Sequence, residues 1–474
     1  MAILPELTLL IAAVAFFVLS IFPRGEKDLL CNTAIFFGFA SFVATLVNFN
    51  TRELIFADSY MIDGFSQLFK VLMSLGLIAV LAMGKRLKDI EETVKPEYYM
   101  FLFLSCLGLM MLVSSVELIA IFISLELSSF ALYLLVPMRN DQNGLRTQME
   151  AGIKYILFGV VATGFMLYGM SYIFGLTGTT YLKEIAAVYP KISFQPAAIF
   201  AALMILSGFL FKLAVFPLHF WVPDIYQGSS NETAGFIATL PKLGAVALLI
   251  RLTDMLVPAG DSFLINFMVV AAVCSMFYGN LCALVQKDIK RMLGFSGIAH
   301  AGFVVVGLLT LDSVGYSNAI YYIAGYVFMN LSCFLVINTV SREGENLTID
   351  DFKGLHKRQP VLAFIMMLSF FALAGIPPFA GFFGKFFILT SALAKDHLYL
   401  VILAAINTAI AIYYYLSVVK AAYTDDAEDR PAVELDSFTK VIGLALVAVI
   451  IFMGVFPTTV LDMASAALTT VTGM

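Results

Sequence analysis

The sequence predicts an all-α protein that crosses a membrane about fourteen times, and three observations predict it. Of the 474 residues, 61% are hydrophobic and 13% charged, with a mean hydropathy of +0.93, far from the near-half apolar content of a soluble domain. Apolar runs of roughly 20 residues, each enough to cross the hydrocarbon core as a helix, recur from Ile3 to Leu461 with short polar breaks. The runs are continuous rather than alternating, which excludes a β-barrel and requires backbone polar groups to be satisfied within helices.

In chain order the spans fall at 3–22, 29–48, 61–83, 98–114, 117–137, 149–175, 197–226, 232–253, 262–285, 292–311, 316–340, 361–393, 398–421 and 438–461. The first lacks a basic segment ahead of it, carries Glu6 and has no small-residue cleavage pattern, so it is expected to stay as a helix and not be removed as a signal peptide. With the N-terminus outward, most Lys and Arg residues lie on inner loops, among them Arg24, Lys85, Arg86, Lys88, Arg139, Lys290, Arg291 and Lys353. The outer loops and span ends then hold only Arg52, Lys183, Lys191, Arg251 and Lys395. This asymmetry places both termini on the periplasmic side of a cell (inner) membrane.

The polar stretches 84–97, 341–360 and 424–437 are loop-sized and leave no room for nucleotide or flavin chemistry; residues 347–355 read as a short inner surface helix. No charge run suits nucleic acid. The five cysteines sit singly in apolar runs, without the close pairs that zinc or iron–sulfur ligation needs, and no metal site is expected.

The chemistry resides in the charges that remain inside. They are all lysines: Lys70, Lys154, Lys212, Lys242 and Lys385. A desolvated lysine can give up its proton, whereas arginine keeps its own in essentially any site, so such a set can relay protons. A charge at mid-membrane costs at least ~2.5–3.5 kcal/mol, so each position needs a partner, water or a purpose. Lys70 lies close enough to its span's start for its stem to snorkel to the outer headgroups. Lys212 and Lys385 are too deep for that, and Lys242 follows Pro241 at mid-span. Lys154 stands one turn after Glu150, where an i,i+4 ion pair and a relay role compete. Glu126 is the mid-span acid suited to be a lysine's counter-charge, while Glu117 reads as a boundary residue.

Two spans carry prolines that an unbroken helix could not hold: Pro217 and Pro223 in VFPLHFWVPD, and Pro377 and Pro378 in GIPPFAGFFG. Discontinuous helices at matched positions of two halves point to an inverted-repeat transporter with a midplane ion path. Lys212 precedes the first break and Lys385 follows the second. His219, two residues after Pro217, is placed to pass a proton near neutral pH. His300, at mid-span, suits either a relay or a hydrogen bond to an exposed carbonyl.

The runs FKLAVFPLHFWVPDIYQGSSNETAGFIATLPK (211–242), QKDIKRMLGFSGIAHAGF (286–303), GIPPFAGFFGKF (375–386) and LELSSFALYLL (125–135) resemble the antiporter-like proton-translocating subunits of complex I, the NADH-quinone oxidoreductase. PDxYQG at Pro223 to Gly228 is similar to the subunit N group. The resemblance implies an N-terminal three-helix segment (1–97), a first repeat (98–253), an inverted second repeat (262–421), each built on five helices, and a C-terminal helix (438–461). It implies Glu126 as pairing glutamate, Lys212 as switching lysine, Lys242 as connecting lysine, Lys385 as the lysine of the exit path, Lys154 as a member of an EAxxKY run, and His219 and His300 as polar members of the central axis. It further implies that NADH, FMN, iron–sulfur clusters and quinone bind to other membrane and peripheral subunits and that this chain holds no cofactor. The competing functions are a subunit of a cation/proton antiporter, disfavoured by an interior rich in lysine rather than oxygen ligands, a related redox pump using a donor other than NADH, and a passive membrane anchor, which would not need the buried lysines.

Overall fold

The computed structural model describes residues 2–21, 27–85, 87–141, 144–257, 262–427 and 430–471; Arg24 and Arg86 lie outside them. The helices in order are α1 (Leu4–Ile21), α2 (Lys27–Val47), α3 (Gly64–Met83), α4 (Lys95–Ser114), α5 (Leu118–Leu135), α6 (Thr147–Thr177), α7 (Leu182–Val188), α8 (Pro196–Leu213), α9 (Trp221–Gly228), α10 (Asn231–Leu256), α11 (Ser262–Leu284), α12 (Ile289–Leu308), α13 (Ser313–Val340), α14 (Leu355–Arg358), α15 (Pro360–Ala374), α16 (Ala380–Ala394), α17 (Leu398–Tyr423), α18 (Ser437–Val455) and α19 (Pro457–Leu468). A two-stranded hairpin, β1 (Glu53–Ile55) and β2 (Tyr60–Ile62), joins α2 to α3.

Helices start where a polar side chain can take the first free N–H groups. Asp63 accepts from Ser66 N at 2.7 Å, Glu117 from Ala120 N at 2.7 Å, Asp288 from Arg291 N at 3.0 Å and Asp312 from Gly315 N at 2.8 Å. Each such cap stabilises its helix by about 1 kcal/mol. Glu117 is thus the boundary residue the sequence suggested.

Among the described residues, thirteen helices are long and apolar enough to cross a membrane. The fourteenth crossing is the predicted span 361–393, divided into α15 and α16. The span 197–226 is likewise divided into α8 and α9. Helix α8 ends where Ala214 takes φ 68°, and α15 ends where Gly375 takes φ 87°, the left-handed conformation that glycine adopts without penalty. The prolines that follow have no N–H to continue either ladder. Counted along the chain, the breaks fall in the seventh and twelfth crossings, which run in opposite directions.

Helices α10, α12 and α13 form the centre, all but enclosed by the others, whereas α1, α2, α6 and α17 turn much of their surface outward. The outward side chains are apolar, for instance Leu10, Val14 and Phe17 on α1 and Leu157 and Val161 on α6, as lipid contact demands.

Several sequence expectations change. The predicted span 438–461 stops at Val455, and Pro457 opens the separate helix α19. The predicted surface helix at 347–355 is a 3-10 turn at Ile349–Phe352 followed by the single turn of α14. Lys70 does not snorkel: it is fully buried, its Nζ 2.6 Å from Glu6 Oε1, which also accepts from Tyr60 OH at 2.5 Å. Arg251, assigned to an outer span end, is buried against Asp63 at 2.8 Å, so lysine is not the sole buried cation. A carboxylate supplied by a distant segment removes the need to reach water in both cases.

Candidate proton-relay site

The two broken crossings meet the central helices, and five of the seven residues singled out in the sequence lie along that line. Lys212 occupies the last turn of α8 and is buried. Its Nζ has no hydrogen-bond partner and rests near the Tyr133 and Tyr155 rings at 6.0 and 5.8 Å. Glu126, on α5, is half-buried, and its Oε1 is likewise unpartnered. Among the described residues no hydrogen bond or ion pair joins Glu126 Oε1 to Lys212 Nζ.

The next residue, Leu213, packs in a tight seam with Lys242, Gly297, His300 and Tyr326 that is too narrow to admit a water molecule. Lys242, one residue past Pro241 in α10, donates to Tyr326 OH at 3.0 Å and to Gly297 O at 3.3 Å. His300, on α12, is held at both ring nitrogens: Nδ1 lies 2.6 Å from Tyr322 OH and Nε2 3.0 Å from Tyr415 OH. Its ring centroid is 5.2 Å from that of Tyr326. The charges of Lys242 and Lys385 both act on His300. Lys385 lies on α16, just past the second break, and its Nζ donates to Leu373 O at 3.2 Å and Ala374 O at 3.1 Å. These are terminal carbonyls of α15, carrying the partial negative charge of a helix C-terminus.

Contacts join Lys242 to His300 through Tyr326; among the described residues no hydrogen bond or ion pair joins Glu126 to Lys212, Lys212 to Lys242, or His300 to Lys385. Tyrosine hydroxyls border Lys242 and His300 and can accept and donate a proton in turn. Replacing Tyr326 by Phe would leave Lys242 with one carbonyl. We expect a severalfold lower turnover with unchanged assembly, measured on the purified complex.

His219 and Lys154 stand apart from this line. His219 lies in the break between α8 and α9, stacked among Phe216, Phe220 and Tyr278, with neither ring nitrogen hydrogen-bonded. Because the helix is interrupted, the seven-residue spacing from Lys212 does not put both on one face. Lys154 is part-exposed, with Glu150 at 2.6 Å and Asp224 at 2.6 Å, and Asp224 also binds Arg291 at 2.7 Å. The i,i+4 pair is present and extended into a network at the end of the bundle. Lys154→Ala should lower stability by no more than about 1 kcal/mol, because exposed pairs are screened; thermal unfolding at low and high salt tests this.

The residues that sequence reasoning missed are the tyrosines. Tyr322 and Tyr326 stand four apart at mid-span in YYIAGYVF, and polar-tipped residues one helical turn apart in an apolar run were the available signal. Among the described residues, no group of His, Cys, Asp and Glu is arranged to hold a metal ion.

Residues 115–411 match the family described as NADH:quinone oxidoreductase/Mrp antiporter, transmembrane. The chain is 47% identical to NADH-quinone oxidoreductase subunit N 2 of Opitutus terrae over 99% of its own length and 98% of the relative's. It is 42% identical to NADH-quinone oxidoreductase subunit N 2 of Solidesulfovibrio magneticus over 98% of each. Among solved structures, a chain of respiratory complex I from Thermus thermophilus superposes with a TM-score of 0.85 at 27% identity, covering 98% of this chain and 100% of that one. A chain of the Mrp complex from Dietzia sp. gives 0.86 at 20% identity, covering 98% and 96%, and this likeness concerns the fold alone.

Proposed function

This chain belongs to the NADH:quinone oxidoreductase/Mrp antiporter membrane family, with subunit N relatives over its full length, and we propose that Glu126, Lys212, Lys242, His300 and Lys385 are its proton relay. The chain is an antiporter-like membrane subunit of a proton-translocating quinone oxidoreductase, and it works in a multisubunit assembly embedded in lipid. The observation that carries the relay reading is the burial of Lys212, Lys242, His300 and Lys385 beside the central helices, between two interrupted crossings.

Opening the Glu126–Lys212 pair removes the counter-charge that favours the charged lysine; closing it restores that charge. In this relay a proton released from Lys212 reaches Lys242 when the tight seam beside Leu213 opens to water, and goes on through Tyr326, His300 and Lys385. Tyr133 and Tyr155 hold Lys212 by their ring faces, a support that survives loss of the ion pair. In this reading both termini face the periplasm, the membrane is the cell's inner membrane, and peripheral subunits complete the assembly. NADH, FMN, iron–sulfur clusters and quinone bind on those other subunits.

A cation/proton exchanger is disfavoured because the line offers one carboxylate among nitrogen groups, whereas alkali cations take oxygen ligands. The test is to purify the tagged chain in mild detergent. Iron–sulfur proteins and donor:quinone reductase activity should accompany it; co-purification of exchanger subunits alone would overturn the redox reading. Glu126→Gln, reconstituted in vesicles, should lower proton translocation severalfold.

A further inference from the structure

At the end of the bundle that the basic loops place inward, α10 opens with two buried polar residues that the relay does not use. Asn231 and Glu232 are 0% and 1% exposed. Neither side-chain oxygen of Glu232 and neither side-chain polar atom of Asn231 has a hydrogen-bond partner. The groups facing Glu232 are already engaged. Lys88 donates to Asn338 O at 2.8 Å and to Ser341 O, Lys290 to Ser229 O at 2.8 Å, and Asp89 is paired with Arg139 at 2.9 Å. Tyr98 OH and Thr233 Oγ1 lie 3.1 Å apart, and the Ser230 hydroxyl donates to that same Thr233 oxygen at 2.8 Å. A buried carboxyl in such a setting needs a proton or water to satisfy it.

From this point α13 runs against α10 and presents Asn338, Phe334, Asn330 and Tyr326 at four-residue steps, one face of the helix. The side-chain oxygens of Asn338 and Asn330 are buried and unpartnered, as is the hydroxyl of Tyr226. Tyr326 is the residue that holds Lys242. Phe334 stands across the path: its Cβ lies 3.2 Å from where a Cβ on Gly235 would sit, and its ring is edge-on to Tyr226 at 6.2 Å. Glu232 and Lys242 are separated by about 15 Å along one helix axis, from a rise of ~1.5 Å per residue.

We propose that the α10–α13 seam is the inner proton-uptake route of this chain, with Glu232 as its acceptor and Phe334 as its plug. Glu232 takes a proton from the inner side and gives it to water held by Asn338, Tyr226 and Asn330. Once Phe334 swings aside, that proton moves by hops to Tyr326 and to Lys242 after Lys242 has passed its own proton on. The next proton from inside restores the Glu232 carboxyl. Gly235 leaves the space that keeps the phenyl ring in place when the route is closed.

This rests on the relay reading above, and the experiment separates the two. Assembled complex carrying Glu232→Gln, Glu232→Asp or Lys212→Met is reconstituted in vesicles, and proton translocation and reductase rate are measured together. Glu232→Gln should lower proton translocation at least threefold, and Glu232→Asp should retain more than half of it. Wild-type pumping in Glu232→Gln with impaired Lys212→Met overturns the uptake route alone, while wild-type pumping in both overturns the relay. Equal loss in Glu232→Gln and Glu232→Asp also overturns the route, because it marks the carboxyl as structural. Should Glu232→Gln fail to assemble, Asn338→Leu, which alters no charge, decides by the same measurement: unchanged translocation overturns the proposal.

Discussion

Lys212→Met is expected to leave the complex assembled while lowering quinone reductase turnover at least tenfold, with proton translocation falling alongside it. The two halves of that expectation have separate causes. Assembly survives because methionine fills nearly the same volume between Tyr133 and Tyr155, and removal of a buried charge that has no hydrogen-bond partner relieves a desolvation cost. In the proposed relay turnover falls because the basic group placed between Glu126 and Lys242 is gone. Tenfold corresponds to about 1.4 kcal/mol of barrier, small beside the electrostatic work of moving a charge through a low-dielectric interior. Lys212→Arg should fail nearly as badly, since guanidinium does not give up its proton. Turnover close to wild type in Lys212→Met would leave the chain as an anchor.

The largest effect on stability is expected at Glu6. Glu6→Ala leaves Lys70 fully buried with no carboxylate, and breaking one side of a buried pair costs about 3–5 kcal/mol. The same substitution removes the acceptor of Tyr60 OH, which ties the β2 strand to α1. The double variant Glu6→Leu with Lys70→Met should recover most of the loss, because apolar replacement of both partners is near neutral. Thermal unfolding of the wild type, both single variants and the double variant closes this cycle. Additive losses would mean that the 2.6 Å pair contributes nothing of its own.

The fold was legible because bilayer physics writes it locally: spans need about twenty apolar residues, and prolines mark their own breaks. Pro217 and Pro377 announced the interruptions that α8/α9 and α15/α16 display. Glu126, Lys212, Lys242, His300 and Lys385 could be found by depth alone, since each is too far from its span's ends to reach water. What depth does not reveal is who stands opposite. Lys70 sits near a span end, and snorkelling was the cheaper reading until Glu6, on a separate helix, arrived beside it. Arg251 and Asp63 meet across 188 residues of sequence, and His300 meets Tyr415 across 115. For Pro457 the sequence did hold a signal, a proline at a helix start, hidden by the apolar residues that flank it on both sides.

The two lysines at the two breaks differ in what surrounds them, and this sets which partner can move. Lys212 looks to Glu126, a side chain on rotatable bonds, whose reorientation belongs to the picosecond-to-nanosecond range when unhindered and slows only with packing. Lys385 is clasped by the carbonyls of Leu373 and Ala374, acceptors fixed in the backbone, so its own side chain is the partner that can turn. The first break therefore sets two side chains against each other, and the second sets one side chain against a helix end. In the proposed relay Lys385 thus finds its acceptors already in place, whereas Lys212 and Glu126 must both reorient to meet.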